Sequence, residues 1–170
     1  MDWFQRHCLS LEPPDLVLHI GAGRGAQLEA YGQLASSRIV LVEPQAEMIA
    51  ELRRKAAALP NVEVLQKALA DQTGEATLQV FNLPDISSLA TPTGLKALFP
   101  GLVQTGSTPV DTMSLADLVA QVAVDCTADN WLVLEAPGAE IAVLAGLEAG
   151  GLGRCFSRLF LRTGREPLFE

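Results

Sequence analysis

A short apolar run that ends in a glycine-rich turn constrains the fold of this chain more than any other feature of its sequence. The run LVLHI (residues 16–20) is followed at once by GAGRG (residues 21–25), and a helix-like segment, AQLEAYGQLA, comes next. An uninterrupted apolar run of this length is typical of a parallel strand buried on both faces. Glycine is needed where a turn requires unusual backbone angles or where a ligand approaches the main chain. The pattern therefore predicts a strand, a ligand-binding turn and a helix.

The alternation of strands and helices continues along the chain. RIVLVE (residues 38–43) predicts a second buried strand, AEMIAELRRKAAAL a helix, and VEVL (residues 62–65) a third strand. Later, WLVLE (residues 131–135) predicts another buried strand, AEIAVLAGLEA a helix, and FSRLFLR a late strand. Such alternation is the signature of a doubly wound sheet with helices on both faces. We expect an α/β, Rossmann-like domain with a mostly parallel sheet in a three-layer α/β/α arrangement.

The middle of the chain is less regular. ATLQVF (residues 76–81) alternates like a strand with one exposed face, and Val110–Thr112 predicts a short strand. Between them, residues 82–106 predict a long loop with a short helical piece around residues 95–99. Long loops inside compact domains are often functional, so we expect substrate choice to depend on this part of the chain.

Composition limits the class of protein. A length of 170 residues predicts a single domain, residues 1–170. The net charge of −8 argues against a nucleic-acid partner or an anionic membrane surface. The sequence contains no uncharged apolar run that is long enough to predict a membrane span. Its N-terminus does not resemble a signal peptide, so we expect a cytoplasmic protein. Cys8, Cys126 and Cys155 are far apart and odd in number, which predicts free thiols and neither a disulfide framework nor a metal site.

A carboxylate follows the second predicted strand where a ribose would be bound. Glu43 comes about 20 residues after the glycine turn, and a carboxylate there can accept two hydrogen bonds from a ribose diol. Dinucleotide binders and S-adenosylmethionine binders both recognise ribose in this way. Ala26 leaves the dinucleotide alternative open, because G-x-G-x-x-A is a permitted variant of that motif. The alternative without a ligand is a tight turn and a solvent-facing Glu43.

Six segments together resemble the FkbM family of S-adenosylmethionine-dependent methyltransferases. In order they are HIGAGRG, VLVEPQAEMIAEL, NVEVLQKALADQTGEATL, ISSLA, VDTMSLADL and LVLEAPGAEIAVLAG. They are similar to the family's strand–GANxG turn, its E-P-N, its A-L-x-D-x-x-G turn, its Ser-Ser loop, its T-L-D helix start and its D-x-E-G-A-E-x-x-V-L-x-G. The resemblance covers about residues 15–150 and leaves residues 1–14 as an N-terminal arm and residues 151–170 as a late strand and stub.

The resemblance implies a class I methyltransferase fold that binds S-adenosylmethionine and methylates a hydroxyl of a sugar or other small molecule. The residues that it implies bind the cofactor are His19, Gly21, Ala22, Gly23, Gly25, Glu43, Lys67 and Ala68. Among them, Lys67 and Ala68 would lie near the adenine. Glu135 would be the catalytic residue at the methyl-transfer centre, and Ser87 and Ser88 would lie in the loop over the substrate pocket.

Three acidic positions differ from the family pattern. His19 stands where the family has Asp, Glu135 replaces another Asp, and Pro137 replaces the Glu of D-x-E-G. Three functions therefore stay open: an active O-methyltransferase, a catalytically degenerate binding or assembly module, and an NAD-binding Rossmann-type oxidoreductase. The short C-terminal part suggests an excised domain or a pared-down relative. The apolar segment Phe156–Phe169 predicts contact with a neighbouring domain or with a second copy in a homodimer.

Overall fold

The computed structural model describes residues 11–34, 37–163 and 168–169. The strands in these residues are β1 (Leu16–Ile20), β2 (Arg38–Val42), β3 (Val62–Leu65), β4 (Ala68–Leu69), β5 (Gly74–Phe81), β6 (Gln104–Met113), β7 (Asn130–Leu134) and β8 (Arg158–Leu161). The α-helices are α1 (Leu28–Tyr31), α2 (Ala46–Ala56), α3 (Leu95–Leu98), α4 (Leu115–Val122) and α5 (Glu140–Ala149). Two 3-10 helices are formed by Pro84–Ile86 and Leu152–Cys155.

The main sheet has five strands in the order β3-β2-β1-β7-β8, and every neighbouring pair is parallel. The chain moves outward from β1 to β2 and β3, and later adds β7 and β8 on the other side of β1. The strand order therefore reverses between β1 and β7, and the carboxyl ends of strands at such a switch point are where open α/β sheets bind ligands. The predicted α/β class and the mostly parallel sheet are confirmed.

Apolar side chains cover both faces of the central strands. One cluster joins Val17, Ile39 and Trp131 of the sheet to Tyr31 and Leu52 of α1 and α2. The cluster on the opposite face joins β1, β2 and β7 to α4 and α5. Complete burial of such side chains contributes roughly 1.5–3 kcal/mol each, which explains why uninterrupted apolar runs became the central strands. Among the described residues, no helix is long and apolar enough to cross a membrane.

The helix after the glycine turn is shorter than predicted. The sequence suggested a helix throughout AQLEAYGQLA, but α1 has only 4 residues and is followed by Gly32 at its C-cap. Glycine destabilises a helix interior by about 1 kcal/mol relative to alanine, so the helix stops there. Burial of Leu28, Ala30 and Tyr31 holds this single turn against the sheet.

A second, three-stranded sheet occupies the middle of the chain and corrects the predicted loop. Strand β6 has 10 residues and begins at Gln104, whereas the sequence predicted a loop over residues 82–106 and a strand only at Val110–Thr112. It pairs antiparallel with β5 and parallel with β4. Most side chains in its first half are exposed, so no apolar alternation marked it as a strand. The short helix expected near residues 95–99 is present as α3.

Cys126 and Cys155 form a disulfide, so the prediction of free thiols at these positions was wrong. The two cysteines are 29 residues apart, and the side chain of Asn130 binds both the carbonyl of Asp125 at 2.7 Å and that of Cys155 at 2.8 Å. The two cysteines are therefore close because of tertiary contacts, which their spacing in the sequence does not reveal. Disulfides are rare in cytosolic proteins, so this pairing runs against the cytoplasmic location that the sequence predicted. Cys8 lies outside the described residues.

The C-terminal segment is covered in part by the chain itself. Strand β8 is the edge strand of the main sheet, and its Phe160 packs against Trp131 with ring centroids 5.4 Å apart. Leu168 and Phe169 pack with Phe81, with Leu95 of α3 and with Leu102. Leu159 is 41% exposed at the sheet edge. Contact of this segment with another domain or copy stays a prediction.

Candidate functional site

The glycine turn joins β1 to α1 at the switch point, and its predicted cofactor residues have different surroundings. Gly23 has a φ of +53°, and a Cβ at this position would meet nothing within 4 Å. At Gly21, by contrast, a Cβ would lie 2.6 Å from the main chain of Glu135, so the missing side chain makes room for the end of β7. Ala22 is buried in the core, and a Cβ at Gly25 would lie 2.6 Å from a leucine of α1. Of these four residues, Gly23 is the one that borders open space.

Glu43 directly follows β2 and is buried, with 3% of its surface exposed. Its Oε2 accepts a 3.0 Å hydrogen bond from the Gly23 N–H, and its Oε1 accepts a 2.9 Å bond from the Gln45 N–H. Burial raises the pKa of the Glu43 carboxyl, against the opposite effect of these two backbone donors. A carboxylate has about four lone-pair sites, so further donors from a ligand can be accepted. The alternative without a ligand had Glu43 facing the solvent, and that placement of its side chain is wrong.

Buried polar side chains meet at the carboxyl ends of β1 and β7. Glu135 follows β7, and its side chain is 9% exposed. Its Oε2 accepts a 2.6 Å hydrogen bond from Gln27 Nε2 and lies 3.3 Å from His19 Nε2, while its Oε1 is 3.7 Å from Arg162. The other ring nitrogen, His19 Nδ1, is 2.8 Å from the Tyr31 hydroxyl. Both ring nitrogens face protein groups, so His19 would influence a ligand through Glu135.

A segment that we name the strap, residues 84–90, runs along the carboxyl edge of the main sheet. At one end, the Pro84 carbonyl accepts a 3.2 Å hydrogen bond from the Gln45 side chain, just after β2. Toward the other end, the Ser88 hydroxyl donates a 2.6 Å hydrogen bond to the Pro137 carbonyl, just after β7. Because β2 and β7 flank β1, the strap spans the edge from one side of the glycine turn to the other.

The two serines predicted to lie over the substrate pocket belong to the strap and are buried. Ser87 is 8% and Ser88 2% exposed. The Ser87 hydroxyl accepts a hydrogen bond from the Phe81 N–H at 3.3 Å, and that of Ser88 also accepts one from the Ala90 N–H at 3.0 Å. Both hydroxyls are bonded to the main chain, so their contribution is to hold the strap in place.

Lys67 and Ala68 follow β3 and differ in their access to solvent. A pocket of about 350 Å³ is lined by Pro44, Gln66, Lys67, Pro109, Val110 and Asp111. Within it, Lys67 Nζ forms a 2.8 Å ion pair with Asp111 Oδ2. The lining includes Pro44, the residue after Glu43, but not Glu43 itself. Ala68 is buried, with 5% of its surface exposed, and pairs with Thr112 as the first residue of β4.

Gln27, Tyr31, Gln45 and Arg162 belong to the site and were not identified from the sequence. For Gln27 and Tyr31 a signal existed, because residues four apart share one face of a helix and both follow the glycine turn. For Gln45 a signal also existed, because it lies two residues after Glu43 in the segment similar to E-P-N. For Arg162 no such signal exists, since it contacts Glu135 through the arrangement of β7 and β8.

Comparison with known proteins gives no family for the chain, because no protein-family model and no curated protein matches its sequence. The function must therefore be argued from geometry. Open space beside Gly23 lies at the switch point, with the buried carboxylate of Glu43 after β2 and that of Glu135 after β7. This arrangement can accept hydrogen bonds from a diol at one carboxylate and a proton or a cationic group at the other.

Proposed function

We propose that this chain binds S-adenosylmethionine at the carboxyl edge of its parallel sheet and transfers the methyl group to a hydroxyl of a sugar or other small molecule. The observation that carries the proposal is the open space at Gly23 at the switch point, with buried carboxylates following the strands on both sides. The resemblance to FkbM methyltransferases leads to the same residues from sequence motifs.

The nucleoside end of the cofactor suits the surroundings of Glu43. The carboxylate already holds the turn through the Gly23 N–H, and a ribose diol would supply the additional donors that a buried carboxylate needs. The pocket lined by Pro44 and Lys67 begins one residue after Glu43 in the sequence and is the cavity that we assign to the adenine. In this proposal Gly23 is the point at which the cofactor approaches the main chain.

The methyl-transfer end suits Glu135. Transfer moves the methyl group from the sulfonium to the acceptor oxygen, and the hydroxyl proton passes to the Glu135 carboxylate. A base positioned in this way typically contributes two to four orders of magnitude to the rate. The side chain is largely shielded from water and its orientation is held by Gln27, which supports this role.

A nicotinamide dinucleotide is a weaker fit to the same turn. In the dinucleotide motif the third small residue allows close packing between helix and strand. Here Ala26 is exposed, and close packing against leucines of α1 and α2 occurs at Gly25 instead. The pyrophosphate also needs the N-terminus of a following helix, but α1 is a single turn. These features favour S-adenosylmethionine.

A catalytically degenerate binding module is the second candidate, and one observation favours it. The strap is bonded at both ends, and its serine hydroxyls are engaged by the main chain. A hydroxyl acceptor would have to reach Glu135 beside this closed segment. Cofactor binding and turnover together separate the two candidates.

Isothermal titration with S-adenosylmethionine, S-adenosylhomocysteine and NAD in parallel tests the proposal. We expect both adenosyl compounds to bind and NAD to bind far more weakly. Release of S-adenosylhomocysteine in the presence of sugar and small-molecule hydroxyl acceptors then measures transfer. Binding without release would favour the degenerate module, and binding of NAD alone would overturn both candidates.

A further inference from the structure

We infer that Gln27 and His19 are positioning residues that keep the Glu135 carboxylate ionised and in one orientation, and that Tyr31 does so indirectly by holding His19. This inference deepens the proposed function and depends on it for its catalytic meaning. It concerns a connected set of side chains that the sequence motifs did not assign.

The contacts converge on one oxygen of the carboxylate. Gln27 Nε2 donates to Glu135 Oε2 at 2.6 Å, and His19 Nε2 lies 3.3 Å from the same oxygen. Gln27 is 5% exposed and His19 1%, so neither side chain is displaced easily by water. Gln27 donates a hydrogen bond to Oε2, whereas the His19 ring lies beside the same oxygen without a hydrogen bond to it.

The Tyr31 hydroxyl favours the His19 tautomer that faces Glu135 with an N–H. An ionised carboxylate only accepts hydrogen bonds, so the proton of a neutral His19 belongs on Nε2. Nδ1 is then an acceptor, and the Tyr31 hydroxyl, 2.8 Å away and 1% exposed, donates to it. Tyr31 therefore orients the His19 ring, whose Nε2 lies 3.3 Å from Glu135 Oε2 without a hydrogen bond to it.

Burial makes these donors important for the charge on Glu135. Removing a carboxylate from water favours its neutral form, whereas hydrogen bonds to the ionised form oppose that effect. Arg162 contributes less, because its side chain is 73% exposed and its guanidinium is 3.7 Å from Oε1. Among the described residues, Gln27 and His19 are thus buried groups beside Oε2 that favour a carboxylate able to act as a base.

Carbon-13 NMR of glutamate carboxyls tests the inference without any ligand. The Glu135 signal is identified by its loss in Glu135→Gln, and its titration midpoint is then compared among variants. Gln27→Met keeps the length of the side chain and removes both amide donors, and Gln33→Met makes the same change at an exposed position as the control. Tyr31→Phe removes only the hydroxyl.

We expect Gln27→Met to move the Glu135 midpoint to higher pH by about one pH unit, which corresponds to the loss of one hydrogen bond to a charged group. Tyr31→Phe should move it in the same direction by less, and Gln33→Met should leave it unchanged. If Gln27→Met fails to fold, Gln27→Ala gives the same test, because it also removes the amide donor without adding a charge. A midpoint that is unchanged in a folded Gln27 variant overturns the inference.

Turnover gives a readout that distinguishes the inference from the proposed function. At a pH well below the wild-type midpoint, kcat of Gln27→Met should fall about tenfold, in proportion to the lost ionised fraction, with KM nearly unchanged. Raising the pH above the new midpoint should restore kcat, which a structural defect would not allow. If the wild type does not bind the cofactor, the proposed function is refuted, even if the NMR midpoints move as expected. If the cofactor binds but the midpoints do not move, only the inference is refuted.

Discussion

Replacing Glu43 by glutamine removes the negative charge of the side chain and keeps its shape. The substitution therefore tests whether a ligand depends on hydrogen bonds to a charged group. The side chain keeps its shape, but one of the two oxygens that accept from Gly23 and Gln45 becomes an amide nitrogen. We expect affinity for S-adenosylhomocysteine to fall by about 10- to 150-fold, because a hydrogen bond to a charged group contributes roughly 1.5–3 kcal/mol. Isothermal titration measures the loss, and Glu47→Gln, an exposed acid on α2, is the matched control.

The same variant has a defined effect on stability as a function of pH. Because the folded-state pKa of Glu43 is raised, its contribution to stability is full below the unfolded-state value of 4.5 and is lost as the pH rises through the folded-state pKa. Denaturant unfolding at a series of pH values should therefore show the wild type losing stability relative to Glu43→Gln in this window. At low pH the variant should be less stable by about 1–3 kcal/mol, since one buried N–H loses its acceptor.

Two results would refute this reasoning about Glu43. An unchanged dissociation constant in a folded Glu43→Gln protein would show that the carboxylate does not hold the ribose. A stability difference between wild type and variant that is constant with pH would show that burial does not disfavour the Glu43 charge. The Glu47→Gln control should change neither measurement.

Four further predictions concern the turn, the strap, the disulfide and the catalytic edge. Gly23→Val should abolish cofactor binding in titration calorimetry while strain at its positive φ costs about 1–3 kcal/mol of stability; complete unfolding would make the glycine structural. Ser88→Ala should lower the urea-unfolding free energy by about 1–3 kcal/mol, because the Ala90 N–H loses its acceptor; an unchanged value contradicts the anchoring role. Cys126→Ser should cost about 3–4 kcal/mol for a loop of this length and abolish any effect of reductant on melting. Pro137→Glu should raise the rate of S-adenosylhomocysteine release, and a lower rate would argue against a missing acid there.

The amino-acid sequence alone was sufficient to predict the central sheet and the edge at which the glycine turn and Glu43 meet. Strands β1, β2 and β7 are continuous apolar runs, and such runs have few stable positions other than the middle of a parallel sheet. The glycine turn and Glu43 were predictable for a local reason, because each directly follows one of these strands. Parallel strands end at the same edge, so their following residues must lie close together.

The tertiary structure alone decided which side chains surround Glu135 and how the middle of the chain is arranged. The first half of β6 became a strand by pairing with β5, without apolar alternation to announce it. Cys126 and Cys155 became neighbours through contacts around Asn130, and the strap was positioned by its bonds to residues after β2 and β7. Local sequence determines hydrophobic periodicity and turn geometry, whereas these contacts join residues far apart in sequence. Their formation depends on how the packed elements bring distant donors and acceptors within hydrogen-bonding distance, and that information is absent from any single segment.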